Sequence, residues 1–535
     1  MDPDSKTDVE LTNVEDIAQS AAKQRLGADE DVRLAAAQVQ YERNLTIRQT
    51  MKIFWRSTLW ICYGQLMVFN YGIDGTMAGS LLGIPRFRQD YGHAYVVEGR
   101  PAYVIPATWQ SLYNGIAQLT AVLGAFATGW MCDRIGRKYT NLLSQVISVA
   151  GVAIQFWSNR SLGLLTLGKA INGISIGMWL IIAPLYASEV APLKLRGWLT
   201  ALTNVVLTCG SLLFSGFVYA IGSDNNKNAY LVPIAVQWAL PGTILLTVFF
   251  WPESPVWLVQ KGKIDQARIA LCQLHGRLMD TEGILAQIKV TVDEENRRVN
   301  DKPTTTYLDC FRGVDRQRTM ICMFLYSCQY LSGLTFVLGY QSYFYQLIGF
   351  TAKTAFLLTM LNTAVMVVAN SMSWFVVEHT GRRPLVVWGE LGCVVCLMVV
   401  GGTSTAGTIA AYKITVAFMF IWNFIFSMTI APTMWTLVAE LASYRVRSRV
   451  QGLSNIMLVV WQWVIGFIFP YMFNPDAGNL GGKVSFVFGG VTFLAFIILF
   501  IWLPETKGRT PTQLNRLYDM KVNPRYFSKI KVEDI

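Results

Sequence analysis

Apolar runs close to the length of a membrane-spanning helix recur from about Ser57 to Leu503, and that recurrence constrains the chain more than any other feature. A hydrocarbon core takes roughly 20 helical residues to cross. We count twelve such runs. Backbone N–H and C=O groups find no water in lipid, so runs of this length must close their hydrogen bonds within helices, and the expected class is an all-α membrane protein. Composition agrees: 53% of residues are hydrophobic and 15% charged, where soluble domains carry about a quarter charged residues.

Basic residues fall between the runs, and unevenly. The short loops at 132–138, 186–197, 378–384 and 436–449 hold Arg134, Arg137, Lys138, Lys194, Arg196, Arg382, Arg383, Arg445, Arg447 and Arg449. The intervening loops near Arg160, Lys227, Lys353 and Lys483 hold about one each. The positive-inside rule places the basic set, and with it both termini, in the cytoplasm. The net charge of +11 therefore reads as topology in a lipid bilayer and not as a nucleic-acid surface. Residues 1–56 are polar and mixed in charge, unlike a cleavable signal peptide, so the first run is expected to act as its own insertion signal.

From about Lys261 to Arg318 the apolar pattern breaks, leaving amphipathic pieces such as Ile264 to Leu274. The expected organisation is a cytoplasmic tail at 1–56, a six-helix half at 57–252, a cytoplasmic connector with short helices at 253–319, a second half at 320–503 and a tail at 504–535. A disordered linker is the alternative for the connector.

Three landmarks repeat in order across that break. Asp133-Arg-Ile-Gly-Arg-Lys138 is echoed by Glu378-His-Thr-Gly-Arg-Arg383 at an offset of 245. Glu189 with Arg196 is echoed by Glu440 with Arg447 at an offset of 251, and Pro252-Glu253 by Pro504-Glu505 at 252. An internal duplication of a six-span unit follows, as in transporters built from two related halves. Each copy brings Arg134, Arg137, Glu189, Arg196 and Glu253, or Arg382, Arg383, Glu440, Arg447 and Glu505, to cytoplasmic helix ends. Partly desolvated Arg–carboxylate pairs are directional, so such a cluster could latch one conformation and release another. Loop anchors with no switching role are the alternative.

Other chemistry is thin. The histidines, His93, His275 and His379, fall in loop or connector regions without a nucleophile or metal partner in view, so an enzyme has no candidate site. Gly163-Leu-Leu-Thr-Leu-Gly-Lys169 spells most of a phosphate-binding loop, but Ala170 replaces its Ser or Thr and no strand precedes it. Nine cysteines show neither a disulfide framework nor a metal spacing, and no cofactor is implied. Asn159-Arg-Ser161 is a glycosylation sequon in a loop expected outside, whereas Asn44-Leu-Thr46 is expected inside. Asp74 stands within the first run with no sequence neighbour of opposite charge; it must protonate or pair, and an ionisable group in a membrane helix is by default a functional candidate. Glu390 in the ninth run is a second such charge with no evident role, and it is expected to pair near the membrane interface.

Gly136-Arg-Lys138, Pro252-Glu-Ser-Pro255, Pro504-Glu-Thr-Lys-Gly508 and Tyr186-Ala-Ser-Glu-Val-Ala-Pro192 with Arg196-Gly197 together resemble the signature of the sugar porter family of the major facilitator superfamily. Ala229-Tyr-Leu-Val-Pro-Ile-Ala-Val-Gln-Trp238, Leu338-Gly-Tyr-Gln-Ser-Tyr-Phe344 and Pro470-Tyr-Met-Phe-Asn-Pro475 look like its fungal maltose and α-glucoside permease branch. The resemblance implies twelve helices in two pseudo-symmetric halves, alternating access and proton symport into the cell. Asp74 matches the family's proton-coupling aspartate, and Lys169 falls where the family usually has its arginine partner. A static pair that only stabilises helix packing is the alternative.

For the solute, the resemblance points to Gln329 in the seventh span, Asn204 in the fifth and Trp435 in the tenth, with Tyr71 one turn before Asp74 and Trp461 and Trp463 as weaker candidates. A sugar needs such amides and an aromatic face. Departures stand beside them: Tyr330 replaces a second glutamine, Thr335 an asparagine, Ser211 a common fifth-span glutamine and Val256 an arginine. The expected function is a monomeric, proton-coupled plasma-membrane importer of a sugar, an α-glucoside such as maltose first. The alternatives are a relative that moves another polyhydroxylated solute or exports a metabolite and, ranked below them, a sugar sensor.

Overall fold

The computed structural model describes residues 30–507 apart from 98–99, 193, 277–280, 302–306 and 443–445, together with positions 514, 517, 518, 520 and 527. Among the described residues, ten helices are long and apolar enough to cross a membrane. One of them, Ala107–Phe156, is 50 residues long and breaks at Gly136, where φ is 89° and ψ 174°, so it supplies the second and third spans. The first span, Trp55–Gly83, has the length but is diluted by Gln65, Asn70 and Asp74, which lowers its mean hydropathy. Twelve spans result.

The others of the first half are Leu162–Val190, Arg196–Ile221 and Asn228–Phe250. In the second half the seventh span, Asp315–Gly339, ends in a wide π-turn at Thr335–Gly339 and continues as Gln341–Leu347. Ala352–Thr380 and Arg382–Thr405 follow, then a tenth span made of Ile409–Ile425, a π-turn at Phe426–Ile430 and Ala431–Leu441. Arg447–Phe473 and Val484–Trp502 complete the set. The seventh helix itself starts at Gly313, inside the stretch expected as connector.

The connector is helical, with Pro255–Gln260, Ile264–His275 and Thr281–Asp301. Its apolar faces bury Leu258, Leu271 and Leu285 against one another and Phe54, which fixes it to the foot of the first span. A further helix at 30–44 lies over it, held by Lys289 to Asp31 at 3.1 Å and by Lys194, whose ammonium donates to the Leu45 carbonyl. Ser57 Oγ lies 2.8 Å from His275 Nδ1, and burial pushes that imidazole down to about 4.

One element departs from the all-α expectation. His93–Val97 and Arg100–Val104 pair antiparallel, His93 opposite Val104, between the first two spans. The aromatic and β-branched residues Tyr95, Val96, Tyr103 and Val104 favour extended backbone there. This hairpin marks the face of the bundle opposite the connector, and hydrogen bonds cross between the halves near it. Arg88 Nη2 donates to Gln346 Oε1 at 2.6 Å, Asn114 Nδ2 to the Tyr340 hydroxyl at 2.6 Å, Asn474 Nδ2 to the Ile105 carbonyl at 3.0 Å, and the Ala107 N–H to Asp476 Oδ2 at 3.0 Å. The first and seventh spans touch so closely that a Cβ on Gly79 would lie 1.6 Å from the Gly339 carbonyl oxygen. Small residues permit such approach between membrane helices.

Candidate functional site: a buried ion pair and two charged clusters

Asp74 and Lys169 come from the first and fourth spans, and each is 3% exposed. The Lys169 ammonium donates to both Asp74 carboxylate oxygens at 2.7 Å. Asn172, one turn along from Lys169, donates to Asp74 Oδ1 at 2.9 Å, accepts from Ser148 Oγ of the third span at 2.9 Å, and reaches Gln237 of the sixth at 3.5 Å. The Tyr113 ring of the second span lies 5.6 Å from the ammonium. Five of the six helices of the first half therefore converge on one ion pair. Desolvating two charges is expensive, and only this density of partners offsets it. Asn172, Ser148, Gln237 and Tyr113 escape sequence reasoning; the one available signal is Asn172, three residues after Lys169 on the same helix face.

The solute candidates are placed unevenly. Tyr71 of the first span lies near Gln462 of the eleventh and Tyr330 of the seventh, both in the other half. Gln329 Nε2 donates to the Ala431 carbonyl at 3.4 Å, just past the tenth-span π-turn, and Trp435 stands one turn further on with its ring 4.8 Å from Tyr326. Asn204 is exposed on the fifth span, and Ser211, two turns along, turns its hydroxyl to the Gly72 carbonyl at 3.0 Å. Ser211 thus packs helices where a glutamine would reach inward. Trp461 is partly buried, and Trp463 stacks on Phe467. A polar chain not foreseen runs through the second half: Asn362 Nδ2 donates to Gln341 Oε1 at 2.7 Å, Asn423 Nδ2 to Asn362 Oδ1 at 3.0 Å, and Ser427 Oγ to Asn423 Oδ1 at 3.1 Å.

At the connector face each half builds the same cluster from its own residues. In the first, Arg137 Nη2 donates to Glu189 Oε1 at 2.5 Å and Nη1 to the Cys132 carbonyl, while the Arg137 and Ser254 N–H groups donate to Glu253 Oε1 at 2.9 Å. In the second, Arg382 Nη2 donates to Glu440 Oε1 at 3.1 Å and Nη1 to the Val377 carbonyl, while the Arg382 and Thr506 N–H groups donate to Glu505 Oε1 at 3.1 and 3.0 Å. Lys138 reaches the Phe249 carbonyl where Arg383 reaches that of Phe500. Gly136 and Gly381, at φ 89° and 98°, make the turn that aims these N–H groups; a Cβ would lie 2.3 Å from Glu253 Oε2 in the first and 2.9 Å from Glu505 Oε2 in the second. Burial pushes the Glu253 carboxyl above its usual range, against the pull of those N–H donors and Arg137.

Arg134 does not join the cluster. It is exposed, with its guanidinium over the Trp130 ring at 4.7 Å, because it sits on the outer side of the turn that Gly136 makes. Arg383 acts through its backbone N–H on Glu505 and over the Phe500 ring. Arg447 opens the eleventh span, and the side chain of Arg196 lies outside the described residues. Val256 lines a cavity of about 220 Å3 with Glu189 and His275, beneath the connector. Asn159 is exposed in the turn between the third and fourth spans, next to Arg160, which pairs with Asp90 at 3.0 Å.

Two six-helix halves, a buried polar centre and a duplicated charged cluster make the architecture of a membrane transporter of the major facilitator type. The chain belongs to the sugar (and other) transporter family, whose profile matches residues 58–518. It is 31% identical to the MFS transporter fmqE of Aspergillus fumigatus over 469 residues, covering 86% of each chain. It is 29% identical over 513 residues to the maltose permease MAL61 of Saccharomyces cerevisiae, covering 94% of this chain and 82% of that one. Among solved structures it superposes on the inward-open xylose transporter XylE of E. coli with a TM-score of 0.68 at 19% identity, over 85% of this chain and 98% of that one.

Proposed function

We propose that this sugar porter is a proton-coupled importer of the plasma membrane, with an α-glucoside such as maltose as its substrate. The observation that carries the coupling is the Asp74–Lys169 pair, buried and held by both carboxylate oxygens. Protonating Asp74 removes the charge that binds Lys169 and loosens the contact on which the helices of the first half converge. A state with a different helix arrangement then gains population, in proportion to how differently the two states bind the proton. The connector face is cytoplasmic in this reading, the halves at 57–252 and 320–503 move against each other, and the state shown is closed on the outside by the contacts near the hairpin.

Solute binding falls to Gln329, Tyr71 and Trp435, with Asn204 of the fifth span. The amides fix hydroxyl groups and the aromatic rings cover the apolar side of a sugar ring. Relatives named as maltose and general α-glucoside permeases support the substrate. A second reading, transport of another polyhydroxylated solute or metabolite, is favoured by the 31% identical relative, whose name specifies no sugar, and by Ser211, Tyr330 and Thr335 in place of amides.

Uptake of labelled hexoses, α-glucosides, β-glucosides and polyols, in transport-deficient cells at two external pH values, tests both. Maltose accumulation that rises as external pH falls is expected. Saturable uptake of a polyol with none of any glucoside transfers the assignment to the second reading. Sensitivity of Asn159 to a glycosidase, lost in Asn159→Gln, checks which face is outside.

A further inference from the structure

Glu390 lies on the ninth span, eight residues past Arg382 and so ~12 Å along the helix from the connector-face gate. The pairing near the interface expected of it is not what the structure shows: it is 0% exposed, and neither carboxyl oxygen has a hydrogen-bond partner. The titratable groups beside it are thiols, Cys328 on the seventh span and Cys393 one turn along its own helix. The twelfth span, packed along the ninth, has no ionisable side chain in Val484–Trp502. The tenth and eighth spans carry ionisable residues only toward their ends, at Tyr412, Lys413 and Glu440, and at Lys353, Glu378 and His379. The ninth and tenth spans approach closely here: a Cβ on the preceding Gly389 would lie 2.2 Å from Thr429 Oγ1 in the tenth-span π-turn.

The duplication supplies an independent observation. At the offset of 245 that superimposes the Gly136 and Gly381 turns at the start of the two helices, Glu390 corresponds to Gln145 of the third span. Gln145 is fully buried, and its amide donates to Asn141 Oδ1 at 2.7 Å and Ser144 Oγ at 3.4 Å. The second half has Val386 and Gly389 at those two positions. One copy thus fills the place with a neutral amide and polar partners, and the other with a carboxyl group stripped of them. A carboxylic acid that keeps its proton has the shape and neutrality of the amide; a carboxylate in that place has neither counter-charge nor donor.

We propose that Glu390 is a proton-binding site, distinct from Asp74, which holds its proton as a neutral acid at neutral pH in the state shown. The proton is taken from solvent and returned to it. Glu390 packs behind the seventh and tenth spans, which carry Gln329 and Trp435, so losing the proton draws water into the second half behind the solute candidates. This half is therefore alkali-labile whether or not Asp74 couples transport.

Infrared spectroscopy of the full-length protein in lipid at pH 7 tests it directly. A protonated carboxyl C=O band that shifts in D2O is expected in wild type and in Asp74→Asn, and is absent in Glu390→Gln. Identical wild-type and Glu390→Gln spectra overturn the proposal. Thermal unfolding at pH 6 and pH 9 gives a second readout, with Glu390→Leu in reserve if the glutamine variant does not fold. Wild type is expected to lose several degrees more between the two pH values than either variant, and parallel losses overturn the proposal. Failure of gradient-driven uptake in Asp74→Asn alone bears only on the coupling reading.

Discussion

Replacing Asp74 by Asn removes one charge from a pair whose partner has no other carboxylate described beside it. With both oxygens 2.7 Å from the Lys169 ammonium, the direct attraction is about 6 kcal/mol at an effective dielectric near 20. Part of that offsets the desolvation of the two groups, and breaking a buried pair from one side leaves a net loss of about 3–5 kcal/mol. Asparagine preserves the shape and an acceptor for Asn172, so the loss reports charge and not a cavity. The expected result is a clear fall in apparent melting temperature in detergent, together with loss of solute accumulation against its gradient in proteoliposomes given an inward proton gradient. Exchange down the solute gradient should persist. Adding Lys169→Met removes the stranded ammonium and fills its volume, so the double variant should recover most of the stability and none of the accumulation. If Asp74→Asn accumulates solute as wild type does, the pair is only a packing device and the coupling argument is wrong.

Glu253→Gln and Glu505→Gln each weaken an acceptor that takes several backbone N–H groups, at about 1–3 kcal/mol, and initial uptake rates should fall several-fold in both. Gly136→Ala forces a side chain into a left-handed turn 2.3 Å from Glu253 Oε2, at about 1–3 kcal/mol of backbone strain plus the displaced carboxylate; Gly381→Ala, at 2.9 Å, should lower the melting temperature less. Burial holds the folded-state imidazole of His275 at about 4, against about 6.5 when unfolded, so the folded chain binds fewer protons between those values. Its contribution is complete above about pH 6.5 and is lost as pH falls toward 4, by up to ~3 kcal/mol, which limited proteolysis of the connector across that window should detect and His275→Phe should abolish.

The spans are legible because lipid tolerates little besides apolar helices, and the duplicated gate because its glycine, arginines and glutamates are fixed in spacing by the turn they build. Asp74 and Lys169 stand out since ionisable residues in apolar runs are rare. The neutral members of the same site do not, because asparagine, serine and glutamine occur throughout these helices and only packing shows that Asn172, Ser148 and Gln237 meet. The hairpin at 93–104 is hidden by its shortness. Arg134 misleads because a loop position gives no direction: two residues before Gly136 the side chain faces away from the cluster that Arg137 enters.

The frame is symmetric to the level of individual carbonyls, Cys132 answering Val377 and Phe249 answering Phe500. The buried ion pair is not repeated: at the offset that matches Glu189 to Glu440, Lys169 falls on Phe420. The two halves share this frame and differ inside, the first holding the Asp74–Lys169 pair and the second the amides of Gln341, Asn362 and Asn423 together with the buried Glu390. Exchanging the frames between copies should therefore be tolerated far better than exchanging their interiors.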